Sequence, residues 1–93
     1  MGMTSANKAC AVVDNVARVL GIELMTACQA LEFHQPLRAG AGVQAAYALV
    51  RQEIAPLDED RALSDDMDLM DQILRRGSVR RQVEIAAGLT PLA

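Results

Sequence analysis

Aromatic side chains are almost missing from this sequence. Its 93 residues include one Tyr, one Phe and no Trp, yet 52% are hydrophobic. The core must therefore be built from Ala, Val, Leu, Ile and Met, the vocabulary of packed helices, since strands favour β-branched and aromatic residues. Histidine occurs once, as His34. A single imidazole with no nucleophile near it and only distant cysteines makes no metal spacing, and at the end of a helix it fits a structural role. No Ser/His/Asp set, Gly-rich phosphate loop, Cys-x-x-Cys pair or His-Glu-x-x-His occurs. Positive charge is not in excess either. The net charge of −3 provides no global field to draw nucleic acid.

Cysteine is scarce as well. Cys10 and Cys28 fall in one predicted helix, eighteen positions and so roughly 27 Å apart, too far for a disulfide. Both are expected to be buried, reduced core residues, which suits a cytoplasmic protein. The N-terminus shows no basic region leading into an apolar run, so no signal peptide is expected. The uncharged stretch LMTACQAL (24–31) is too short to span a bilayer.

What is present is helical periodicity. Ninety-three residues make one small domain at most, and a chain of this size often relies on partners for stability. Val13, Val16, Ala17, Leu20, Leu24, Ala27, Cys28 and Leu31 recur at three- and four-residue steps, predicting a first helix from about Thr4 to Phe33. Ala9, Val12, Val19 and Ile22 widen the apolar arc until the helix must be surrounded by others. Thr4 or Ser5 is expected to cap it, Asp14 to pair with Arg18, and Gly21 to mark either close helix approach or simple tolerance. HQPLRAGAG (34–42) ends it. Three shorter helices follow, over about 43–53, 65–76 and 79–87. Met67, Met70, Ile73 and Leu74 point inward on the third, which Gly77 terminates. LTPLA is a tail. The expected class is all-α, with residues 1–93 a single helical segment. Some thirty residues of helix reach ~45 Å, longer than a compact domain of this size is wide, so the segment reads as part of a larger bundle.

PLDEDRALSDDMD (56–68) packs six carboxylates around one Arg. An EF-hand needs Gly at its sixth position; counting from Asp58 gives Leu63, and from Asp60 gives Asp65. The structural reading accounts for more. Ser64 is the expected N-cap, Asp65 and Asp66 suit the first turn, and Asp68 and Asp71 continue a solvated face. Asp58, Glu59 and Asp60 surround Arg61 as an expected ion-pair hub. RRGSVRR (75–81) could bind phosphate and resembles a basophilic kinase substrate. Equally, Arg75 and Arg76 complement a helix end while Ser78 caps the next helix, and no aromatics accompany the arginines for base stacking.

The run MGMTSANKACAVVDNVARVLGIELMTACQALEFHQPL (1–37) resembles the C-terminal region of the histidine ammonia-lyase family, the aromatic amino-acid lyases and aminomutases that use a methylidene-imidazolone group. The resemblance rests on Met1-Gly2, Ala6, Asn15, Val19-Leu20, Ile22-Glu23-Leu24, Ala27, Gln29-Ala30-Leu31, Phe33 and Pro36-Leu37. PLDEDR (56–61) with Leu63, Ser64 and Asp66 continues it, and it weakens after about Arg76. It implies an all-helical bundle within a homotetramer, and a parent reaction taking L-histidine to trans-urocanate and ammonia in histidine catabolism; phenylalanine and tyrosine relatives share the architecture. It also implies that the family's electrophile, formed from an Ala-Ser-Gly triplet, and its active-site Tyr, Asn, Arg and Gln-Glu-Asp-His-Val-Ser segment would lie upstream of Met1. No catalytic, cofactor-binding or metal residue is therefore expected in this chain, and Tyr47 matches no catalytic tyrosine motif. The expected partners are other copies, or the remainder of such a lyase, through the long helix. Neither nucleic acid nor membrane is expected. The contrasting reading is a standalone helical oligomerisation module.

Overall fold

The computed structural model describes residues 2–89. Four helices run in chain order, α1 (Gly2–Glu32), α2 (Ala41–Glu53), α3 (Ser64–Arg75) and α4 (Ser78–Ala87), with no strand among the described residues. The all-α expectation holds, and the differences lie at the helix ends. Helix α1 starts at Gly2, so Thr4 and Ser5 sit inside it and cap nothing. Its last turn runs on through Phe33 N–H to Ala30 O at 3.1 Å and His34 N–H to Leu31 O at 3.1 Å. Helix α2 begins at Ala41, with extended Gly40 as its N-cap. Ser64 is the first residue of α3 rather than its cap; Leu63 holds the cap position without a side-chain bond. Asp65 and Asp66 occupy the first turn, where the helix dipole favours negative charge. The LTPLA tail beyond Leu89 lies outside the described residues.

Gly77 makes the sharp corner between α3 and α4. Its φ of 70° is left-handed, a conformation that side chains with a Cβ avoid. One residue serves both helices: its N–H bonds Leu74 O at 3.1 Å, and its carbonyl accepts from Arg81 N–H at 3.1 Å. Ser78 is thus not the cap of α4. Its hydroxyl points back and donates to Ile73 O at 3.2 Å. Gly88, also left-handed, closes α4 with a Schellman pair, Gly88 N–H to Ile85 O and Leu89 N–H to Glu84 O.

Helix α1 packs on α3 and α2 on α4, with α3 joining the two pairs. The buried core is small: Cys28, Val50, Ile54, Met70 and Ile73, bordered by Leu24, Met25, Tyr47, Leu49, Leu69, Leu74 and Val79. Full burial of an aliphatic side chain or Met contributes about 1.5–3 kcal/mol each. Met67 is half-buried at the edge. The two cysteines part company, Cys28 being 2% exposed and Cys10 lying on the surface. Cys10 precedes the stretch of α1 that α3 reaches, so the expectation that both are core residues fails for it.

Gly21 decides how close α1 and α3 come. It is buried, and a Cβ placed there would lie 3.0 Å from Met70 Cγ and 3.6 Å from Leu74 Cδ1. Close approach, not tolerance, is its role. The ion pairs of this seam also differ from expectation. Asp14 and Arg18 do not pair with each other; Arg75 takes Asp14 at 2.8 Å and Asp71 at 3.0 Å, while Arg18 takes Asp68 at 3.2 Å. Each side chain on α1 thus meets a partner on α3 that lies earlier in sequence as α1 advances, so the helices run antiparallel. These exposed pairs are worth about 0–1 kcal/mol each, and fix register more than they stabilise. Replacing Gly21 with Leu should destabilise the chain by about 1–3 kcal/mol, the usual cost of overpacking, read as a lower thermal midpoint with helix content retained below it.

Candidate functional site

The main half-buried polar cluster joins α1 to α2. Glu32, at the end of α1, accepts from the Tyr47 hydroxyl and from Arg51 Nε at 2.8 Å. Arg51 also donates to Ile54 O at 3.2 Å, and its guanidinium lies over the Tyr47 ring at 5.4 Å from the centroid. The Tyr47 and Arg51 bonds hold the Glu32 carboxyl below its ordinary 4.5. The same bond to Glu32 raises the Tyr47 phenol above its ordinary 10.0. Burial raises the neighbouring Cys28 thiol, which leaves it a poor nucleophile. Glu32 Oε1 takes the bonds from Tyr47 and Arg51 while Oε2 accepts from the Gln35 side-chain amide at 3.3 Å, and Arg51 Nη2 is buried without a hydrogen-bond partner; the shared Oε1 locks two helices. Sequence reasoning missed it. Its one local signal is Tyr47 and Arg51 four apart on α2; Glu32 comes from another helix.

A second set of polar contacts shapes the segment between α2 and α3. The Gln29 amide accepts from Leu57 N–H at 2.9 Å and donates to Leu57 O at 3.3 Å, pairing with the chain as a neighbouring strand would. Arg61 donates to Ala55 O at 2.6 Å, Pro56 O at 3.1 Å and Asp66 Oδ2 at 2.9 Å. The expected hub with Asp58, Glu59 and Asp60 is replaced by this one: Arg61 gathers the backbone carbonyls before the acidic run and an aspartate after it, leaving those three exposed. Among the described residues, no group of three or more His, Cys, Asp or Glu side chains is placed to hold a metal. His34 is exposed in the turn after α1.

The arginines of RRGSVRR are largely engaged. Arg75 binds Asp14 and Asp71, Arg76 binds Glu53 at 2.8 Å, and Arg80 binds Glu84 at 2.7 Å. Ser78 is half-buried with its hydroxyl committed to Ile73 O. This geometry fits a helix corner better than a phosphate cradle.

The most conspicuous surface is apolar. Residues 2–16 of α1 are all exposed, and Val12, Val13, Val16, Val19 and Leu20 each keep more than half of their surface open. Two apolar troughs continue this surface. One, of about 400 Å³, lies among Leu24, Ala27, Leu31, Val43, Ala46 and Val83. The other, of about 330 Å³, runs past Met25, Ala30, Phe33, Ile54 and Leu57. The radius of gyration is 15.5 Å, against roughly 12 Å for a compact domain of this length. The accessible surface is 6774 Å², against roughly 5,200 Å² for a compact 10.0 kDa monomer. No described helix is long and apolar enough to cross a membrane. An exposed apolar face of this extent is larger than a monomer usually leaves uncovered.

Comparison with known proteins gives this surface a setting. The family described as "Aromatic amino acid lyase" matches residues 1–52. Histidine ammonia-lyase of Symbiobacterium thermophilum is 46% identical over 88 residues, 95% of this chain and 17% of that protein. Histidine ammonia-lyase of Natranaerobius thermophilus is 39% identical over the same shares. That of Stigmatella aurantiaca is 42% identical over 92% of this chain and 17% of its own length. The chain belongs to the aromatic amino acid lyase family. It spans about a sixth of the length of the curated relatives it matches. No solved structure matches it. Within this lyase segment, the family match covers α1 and nearly all of α2, so it contains the whole Glu32–Tyr47–Arg51 lock.

Two predictions concern these contacts. Tyr47 is the chain's one tyrosine and there is no tryptophan, so phenolate absorbance reports on it alone. It should ionise above 10.0, and Glu32→Gln should bring that titration down towards the ordinary value. Because Glu32 is held below 4.5 and Tyr47 above 10.0, the contribution of Glu32 is in place above its unfolded value and fades as pH falls through the lowered one. That of Tyr47 is in place below 10.0 and fades as pH rises through the raised one. Separately, Arg61→Ala should cost about 1–3 kcal/mol in denaturant unfolding, since charged hydrogen bonds to two carbonyls and Asp66 are lost. Arg61→Lys should recover less than half of this, because an ammonium lacks the guanidinium's fork.

Proposed function

We propose that this chain is the C-terminal helical part of a histidine ammonia-lyase-type enzyme, a scaffold through which the larger bundle and its oligomer are assembled. The observation that carries this reading is the exposed apolar face of α1, in a chain 46% identical over 95% of its length to one-sixth of a histidine ammonia-lyase. The parent reaction would be elimination of ammonia from L-histidine to give trans-urocanate, in the cytoplasm. The curated relatives cited above are named for histidine rather than phenylalanine or tyrosine, which favours histidine.

The chain by itself would be inactive. The methylidene-imidazolone implied by the family forms from an Ala-Ser-Gly triplet, and these 93 residues contain none. The residues present do not fit that group either, since the half-buried Glu32, Tyr47 and Arg51 are already committed to one another across α1 and α2. No catalytic step is therefore assigned to this chain, and its contribution is positional: it holds α1 and α2 at a fixed angle and presents apolar surface.

The reading is tested by transplantation. In the Symbiobacterium thermophilum enzyme, the matching 88 residues are replaced with those of this chain, and urocanate formation is followed by absorbance. Activity within about tenfold of the parent is expected, while the 93-residue chain alone should show none. Turnover by the isolated chain, or a soluble chimera that neither assembles nor turns over, would refute it.

A further inference from the structure

The turn between α1 and α2 borders a hollow of about 490 Å³ whose lining differs from that of the two apolar troughs. Its walls all come from residues 31–47, so it owes nothing to the open N-terminal half of α1. Leu31, Pro36 and Leu37 supply apolar surface, while Gln35, Arg38, Gln44 and Tyr47 supply polar groups. None of the lining side chains is acidic. The neighbouring Glu32 carboxyl is spent on Tyr47, Arg51 and Gln35.

The polar groups of this lining are largely uncommitted. Arg38 forms no ion pair among the described residues, although the chain has twelve acidic residues for nine basic ones. The Gln44 side chain makes no hydrogen bond there either, so its amide has both a donor and an acceptor to offer. Gln35 donates to Glu32 Oε2 at 3.3 Å and keeps its side-chain carbonyl for another partner. The Tyr47 hydroxyl donates to Glu32, which leaves its oxygen able to accept. The frame is held in place by bonds of its own: His34 N–H to Leu31 O at 3.1 Å and Leu37 N–H to His34 O at 2.9 Å shape the turn. A preformed hollow with apolar walls and a few polar groups is the usual form of a small-molecule site, and its volume lies within the roughly 300–1,000 Å³ of such sites.

We propose that this hollow binds a small carboxylate that carries a neutral N–H, of the imidazolyl carboxylate class. The unpaired Arg38 guanidinium takes the carboxylate with its fork of donors. The acceptors of Gln35, Gln44 and Tyr47 take the ring N–H. Leu31, Pro36 and Leu37 cover the apolar body. An ammonium fits poorly, because no acidic side chain lines the hollow to balance its charge. A free α-amino acid is thereby disfavoured, and its deaminated counterpart is favoured. trans-Urocanate, the product under the function proposed above, has both recognised features. The ligand class rests on the lining alone; only its standing as the product rests on that functional reading.

Proton NMR of the full 93-residue chain tests the site, because Tyr47 is the one tyrosine and it lines the hollow. Adding trans-urocanate at constant pH should shift the Tyr47 ring signals saturably, with half-saturation at about 1 mM or below. Arg38→Ala should weaken binding about tenfold or more, since charged hydrogen bonds are lost. Helix content should stay unchanged, as Arg38 is exposed. Arg38→Lys should recover only part of the loss. Acetate, imidazole and L-histidine should each bind about tenfold more weakly than urocanate, the first two because each meets half of the lining and the third because of its ammonium. The proposal is overturned by no saturable shift up to about 10 mM, by undiminished binding in Arg38→Ala, or by acetate or L-histidine binding as tightly as urocanate. The titration reads binding without turnover. An active chimera alongside a chain that binds no urocanate would reject the site and leave the enzyme reading standing. Binding by the chain alongside a soluble chimera that neither assembles nor turns over would support the site and reject that reading.

Discussion

Helix α1 is some 46 Å long at about 1.5 Å per residue, whereas α2, α3 and α4 have 13, 12 and 10 residues and reach about 15–20 Å each. Three short helices cannot cover both sides of a helix more than twice their length. They gather at its C-terminal half, where Met70 and Leu74 of α3 close on Gly21 and Val50 and Ile54 close on Cys28. The rest of the arrangement depends on this mismatch. The core is small because only half of α1 contributes to it, and the molecule is extended because the other half projects.

The polar contacts follow the same division. Gln29 and Glu32, in the last turn of α1, hold Leu57, Tyr47 and Arg51. They fix where the α2 pair and the following segment leave the long helix. Further along, Asp14 and Arg18 set the register with α3 through exposed pairs of small individual worth. Before Asp14, no hydrogen bond or ion pair between side chains ties α1 to another described element. The segment is therefore a well-fastened hub at one end and an open rod at the other, a shape suited to joining a larger bundle.

The helical period of this chain was legible because α1, α2 and α3 are amphipathic and Gly77 is the residue a sharp left-handed corner demands. Inward positions on α3 were legible for the same reason. Capping was not: Thr4, Ser5, Ser64 and Ser78 are all good N-cap residues, yet none caps, because local preference yields to where the neighbouring segment is held. Arg61 illustrates this for Ser64, since its grip on Ala55, Pro56 and Asp66 sets the chain's path into α3 without the serine hydroxyl. Charge partners were the least legible. Asp14 and Arg18 have ideal spacing to pair on one helix, but a three-dimensional seam offered Arg75 and Asp68 instead. The Glu32–Tyr47–Arg51 lock was invisible for the same reason, being assembled from two helices.

The valines of α1 carry the remaining weight. On a solvated helix face valine is a poor choice: its branched side chain loses rotamer freedom against the preceding turn, a cost of several tenths of a kcal/mol relative to Ala, and exposed it gains no burial. Val12, Val13, Val16 and Val19 repeat that choice within eight residues, all at least half open, while the polar strip of the same helix is supplied with Asp14 and Arg18. Burial of each valine against a partner would offset its propensity cost several times over. A stiff, branched side chain also packs with little further loss of freedom, which makes valine well suited to a helix seam. The composition of this face therefore makes physical sense for a helix that is covered in its working state.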